Sequence, residues 1–113
     1  MKQAEKITIK ELQEMAGKMY GSLVKADVDV AKKIIIVDME MHADGEAELL
    51  ENGSRQEDLW GINLYPEKFG TDEFIEFDSM INLKPRQNNL TRGVEDPALQ
   101  QKIRDIVAGV VHE

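Results

Sequence analysis

LVKADVDVAKKIIIVDMEMH, residues 23–42, decides how the chain is read. Val24, Ala26, Val28 and Val30 alternate with Lys25, Asp27 and Asp29, the period-2 pattern of a strand with one apolar face and one wet face. After a short turn near Lys32 the alternation resumes. Ile35, Val37, Met39 and Met41 fall on one face and Ile34, Ile36, Asp38, Glu40 and His42 on the other. FIEFDSMINL, 74–83, repeats the pattern, with Ile75, Phe77, Ile81 and Leu83 opposed to Glu76, Asp78, Met80 and Asn82. DLWGINLYP, 58–66, puts Trp60, Ile62 and Leu64 on the core side and Gly61 on the other. Alternation of this kind predicts antiparallel strands.

Outward from these strands the period changes to about 3.6. Thr8 and Glu11 have capping-box spacing, and Ile9, Leu12, Met15, Ala16 and Met19 predict a helix over 9–20, stopped by Gly21. Asp96 and Pro97 open a second helix over 97–111, with Leu99, Ile103, Ile106, Val107 and Val110 as its apolar stripe. EAELLE, 46–51, lies between Asp44-Gly45 and Asn52-Gly53, pairs that favour hairpins. It is read as a strand, with a short helix closed by Asn52-Gly53 as the alternative.

The expected fold is therefore α+β in a single domain, 1–113. An antiparallel β-meander of four or five strands carries an N-terminal and a C-terminal helix on one face and leaves the other face wet.

Composition narrows function. The 113 residues hold 14 basic and 22 acidic side chains, a formal charge of −8, which disfavours general nucleic-acid binding and anionic lipid surfaces. No cysteine is present, so disulfide and thiolate chemistry are excluded, and a cytoplasmic location is the default expectation. The amino terminus lacks an apolar leader pattern, and the longest apolar run, 34–37, is far too short to span a membrane. Walker A, GxGxxG, HExxH and GxSxG motifs are absent, and no cofactor is expected.

In the meander, the turn at Lys32, the loop 52–58 and the exit 85–89 share one end of the sheet. Residues 42–45 and 65–73 share the other. The first end gathers Gln56, Asp58, Trp60, Gly61, Arg86, Gln87 and Asn88 as a candidate ligand-binding set. A guanidinium fork suits carboxylate or phosphate, amides both donate and accept, and an indole offers a flat face. The same stretch also fits a polar exit turn, with Arg86 paired to Asp58 or Glu57 and the asparagines of PRQNN, Asn88 and Asn89, satisfying loop backbone. At the other end Glu40, His42 and Asp44 would project together about 7 Å apart along a strand, a lesser candidate for a metal site or a carboxylate-driven hydrolase.

HADGEAELLENGSRQEDLWG, 42–61, and INLKPRQNN, 81–89, resemble the motifs of a family of small prokaryotic proteins catalogued as domain of unknown function 5674. Leu83 and Lys84 are the departures in the second motif. The resemblance spans essentially the whole chain and implies no particular reaction. It adds weight to the polar segments HAD, GSxQED and PRQNN. The expected function is a binding or regulatory module for a polar small molecule or a partner protein. A homodimer formed through the wet face or a β-edge at 24–30 is a further expectation.

Overall fold

The computed structural model describes residues 1–113. Its main sheet has the order β1-β4-β3-β5-β6, all neighbours antiparallel: β1 is Lys2–Ala4, β3 Val24–Asp29, β4 Ile34–Met39, β5 Leu59–Leu64 and β6 Ile75–Glu76. A second, parallel pair joins β2, Ile7–Thr8, to β7, Val111–His112. Three α-helices complete the fold: α1, Ile9–Lys18; α2, His42–Glu51; and α3, Pro97–Ala108. The class is α+β with a five-stranded antiparallel sheet and a helix near each end of the chain. None of the helices is long and apolar enough to cross a membrane.

Local chemistry sets the terminal helices. Thr8 Oγ1 accepts from the Glu11 amide at 3.0 Å while Glu11 Oε1 accepts from the Thr8 amide at 3.1 Å, a completed capping box. Asp96 Oδ1 accepts from the Ala98 amide at 2.9 Å and caps α3, with Pro97 in its first turn. α3 ends three residues earlier than its apolar stripe suggests, because Val111 leaves the helix to pair with Ile7.

Both helices pack on one face of the sheet. Leu12 and Ala16 of α1 and Ile103, Ile106 and Val107 of α3 meet Val24, Ala26, Val28, Ile35, Val37, Trp60, Ile62 and Leu64 in the main core. Removing each large side chain from water contributes about 1.5–3 kcal/mol.

The opposite face departs from expectation in three ways. First, 46–51 is not a strand; it is the second half of α2, which crosses from β4 to β5 over the face carrying Asp27 and Asp29. The up-and-down order is broken accordingly, since β5 pairs with β3 and makes β3 the central strand rather than an edge. Second, the wet face is buried: Ile36, Met39, Leu49 and Leu59 form a small core under α2, and Asp27 and Asp29 are inaccessible. Met39 reaches this face because Asp38 adopts φ 65° and the β3/β4 register slips between Lys25 and Ala26, so the alternation inverts. Third, only Ile75–Glu76 of the expected 74–83 strand pairs with the sheet, and Met80–Asn82 is a 3₁₀ turn.

Candidate functional site

The expected grouping of loops at one end of the sheet survives the change from strand to helix. α2 runs back along the sheet as a strand would, so the turn after β3, the loop 52–58 and residues 84–89 come together. Asp29 ties the first two: Oδ1 accepts from the Ala31 and Lys32 amides at 2.9 Å, and Oδ2 accepts from Ser54 Oγ at 2.6 Å.

Asn82 and Asn89 build the third loop from within. Asn82 Oδ1 accepts from the Gly61 amide at 2.8 Å and its Nδ2 donates to the Gly61 carbonyl at 3.0 Å and the Arg92 carbonyl at 2.8 Å. One side chain thus occupies the place where a neighbouring strand would pair with β5. Gly61 is required for this approach, because a Cβ there would sit 2.6 Å from Ser79 Cβ and Oγ. Asn89 Nδ2 donates to the carbonyls of Asn82 and Gly93, both at 2.8 Å, and its Oδ1 accepts from the Glu95 amide at 2.9 Å. Backbone bonds from Lys84 N to Asn89 O and from Asn89 N to Lys84 O close the loop at its base.

This loop is pinned against residues 56 and 57. Lys84 Nζ donates to the Gln56 carbonyl at 2.9 Å and lies 5.2 Å from the centre of the Trp60 ring; Gln87 Nε2 donates to the Glu57 carbonyl at 3.0 Å. Burial lowers the Lys84 pKa, against the opposing fields of Glu46 and Asp58. Between the segments lies an open depression of about 690 Å³ lined by Gln56, Glu57 and residues 83–87.

Gln56, Arg86 and Gln87 thus meet at one depression. Arg86 is exposed and pairs with neither Asp58 nor Glu57; the ion pairs of the molecule involve the Met1 amine, Arg55, Lys68 and Arg92. Asn88 is exposed at the loop tip with φ 62°. Asp58 is half-buried at the start of β5, where its carbonyl accepts from the Val30 amide. Trp60 is buried in the main core, beneath the depression and not open to it, and Gly61 faces Ser79 and His42 on the other side of the sheet. Segment 80–90 also exposes three large apolar side chains, Met80 at 64%, Leu83 at 39% and Leu90 at 63%.

Glu40, His42 and Asp44 do not converge, because the strand they were read on ends at Met39. Glu40 is exposed, and its carbonyl accepts from the Tyr20 hydroxyl. Asp44 Oδ2 accepts from the Met41 amide at 3.2 Å, closing the start of α2. His42 turns inward and its Nε2 bonds the Ile62 carbonyl at 2.9 Å, which requires the proton on Nε2. Burial lowers its pKa, and this hydrogen bond opposes that shift. No cluster of three or more His, Cys, Asp or Glu side chains has the arrangement of a metal site.

The polar exit-turn reading anticipated an asparagine of PRQNN serving the loop backbone, as Asn89 does; sequence reading missed Lys84 and Asn82 as its companions. The available signal for Lys84 was its place at the head of the polar run that follows 74–83, which marks a backbone in need of side-chain partners; Asn82 was hidden within the alternation itself.

A family model described as protein of unknown function, DUF5674, matches residues 2–110. No curated protein and no solved structure matches the chain.

Proposed function

We propose that this chain, which belongs to the DUF5674 family of proteins of unknown function, is a binding module that takes a segment of a partner protein across residues 80–90. The observation that carries the reading is a contrast within one short segment. Its backbone is fixed by Asn82, Asn89 and Lys84, while Arg86, Met80, Leu83 and Leu90 stand free on its surface. A fixed loop loses little conformational freedom on binding, and arginine and methionine are among the residue types enriched at protein interfaces.

The chemistry of the partner follows from the depression. An unpaired guanidinium beside Gln56 and Gln87 fits a carboxylate bidentately, and Leu83 on the same rim fits an apolar neighbour. The net charge of −8 repels strongly acidic partners at long range. A mostly apolar segment with a single carboxylate is therefore favoured over an acidic tract. A polar small molecule could use the same fork, but it leaves the three apolar side chains without a role.

Selection of a displayed peptide library on the intact chain tests this reading. Enriched peptides are expected to carry one acidic side chain or a free C-terminal carboxylate next to Leu, Ile, Met or Phe. Arg86→Ala is expected to weaken their binding about tenfold or more, the effect of losing a charge-assisted hydrogen bond. Peptides that bind equally well to Arg86→Ala, or a selection that enriches none, would contradict it.

A further inference from the structure

Beneath α2 lies a second group of titratable side chains that the binding surface does not use. Asp27, on the central strand β3, has no accessible surface, and neither of its carboxyl oxygens has a hydrogen-bond partner. Its register partners on either side are Ile36 and Gly61, which supply no charge. From α2, Glu46 faces it and brings another buried oxygen without a partner, Oε2. The contact is tight: a Cβ at Gly45 would overlap Asp27 Oδ2 and come within 2.7 Å of Met39 Sδ. An inaccessible carboxyl group and a half-buried one thus share the seam between helix and sheet, and neither forms an ion pair.

We propose that α2 is a proton-operated cover, closed on the sheet while Asp27 carries a proton and released when that proton leaves. An ionised Asp27 without a partner is strongly disfavoured in such a seam, because desolvation and the facing Glu46 side chain act on it in the same direction. The Asp27 pKa is pushed up to about 8, first by burial and then by Glu46 and, more weakly, Asp44 of α2. Opposing it are the Glu46 amide, which is outside hydrogen-bond geometry, and Lys25 on the same strand. Lys84, from the loop packed beside α2, is coupled to Glu46 rather than to Asp27.

The direction of the effect follows from linkage. The closed form binds the Asp27 proton more tightly than an open form in which the carboxyl has its ordinary value of 3.8. Closure is therefore strongest below about pH 4, weakens by up to tenfold per pH unit as pH rises, and levels off above about pH 8. Neutral solution lies on the slope. Opening would also withdraw Glu46 from Lys84, the cation that pins Gln56 at the depression.

The chain contains no cysteine, so Leu49→Cys, at a position of α2 buried against the sheet, creates its single thiol. The readout is labelling of that thiol relative to the same thiol in an unstructured peptide at each pH. Protection is expected to fall up to a hundredfold between pH 6 and pH 8, and to lose this dependence when Asp27→Asn is added. It should also stay below the protection of a Val107→Cys thiol on α3, since α2 opens without the rest of the chain. An unchanged slope in Asp27→Asn, a flat profile in the parent, or equal protection at the two thiols would overturn the proposal. If Leu49→Cys fails to fold, the carboxyl carbon resonance of Asp27 in the unsubstituted chain decides. A midpoint near 8 is expected, and one near 4 would overturn it. None of these readouts involves a binding partner.

Discussion

At Gly61 the absence of a side chain lets two parts of the chain touch. The Asn82 amide covers the free edge of β5 there, with Ser79 closed against the glycine. Gly61→Ala should destabilise the protein by about 1–3 kcal/mol, the usual cost of forcing an extra carbon into a packed site, read by urea unfolding. Asn82→Ala should cost about 3 kcal/mol, because several buried backbone groups lose their partner together. Asn82→Asp should not rescue it, since a carboxylate accepts from the Gly61 amide but cannot donate to its carbonyl. The position of Trp60 and Gly61 on opposite faces was legible from alternation alone. Which neighbours would fill the space at Gly61 was not, because Ser79 and His42 arrive from distant parts of the sequence.

Among the elements, α2 shows how local and tertiary signals compete. Glu, Ala and Leu favour a helix over 46–51, and the two Asx-Gly pairs point to hairpins; the helix prevails because both pairs are compatible with it, Asp44-Gly45 in its first turn and Asn52-Gly53 just past its last residue as cap and exit. Asp44 caps the first turn, and Gly53 leaves the last at φ 98°. Ten helical residues advance about 15 Å and a six-residue strand about 20 Å, so either element returns the chain to the same end of the sheet. That is why the grouping of loops was legible although the element was not. Gly45 separates two effects of opposite sign. Alanine there should gain about 1 kcal/mol in helix propensity, yet its Cβ meets Asp27 and Met39. Packing should win, and thermal melting of Gly45→Ala is expected to fall rather than rise. The inverted side of Met39 was hidden for a different reason: a single left-handed residue at Asp38 shifts the register, and strict alternation has no term for it.

For the whole molecule, the sheet separates two packed faces of unequal character. α1 and α3 cover an apolar face, which hydrophobic patterning made legible, whereas α2, Ser79 and Asn82 cover a more polar one, which patterning marks as wet whether or not something lies over it. The proposed binding surface is the rim of that second face, where buried amides fix the loop and exposed side chains remain available. The most direct test compares binding and folding in the same variants, with a selected peptide of one carboxylate and one apolar anchor as the probe. Arg86→Ala combined with Gln56→Ala should abolish titratable binding by calorimetry while moving the melting temperature by less than about 2 °C, as surface substitutions do. Retained binding, or a melting temperature lowered as far as in Asn82→Ala, would mean that these residues serve the fold and not a partner.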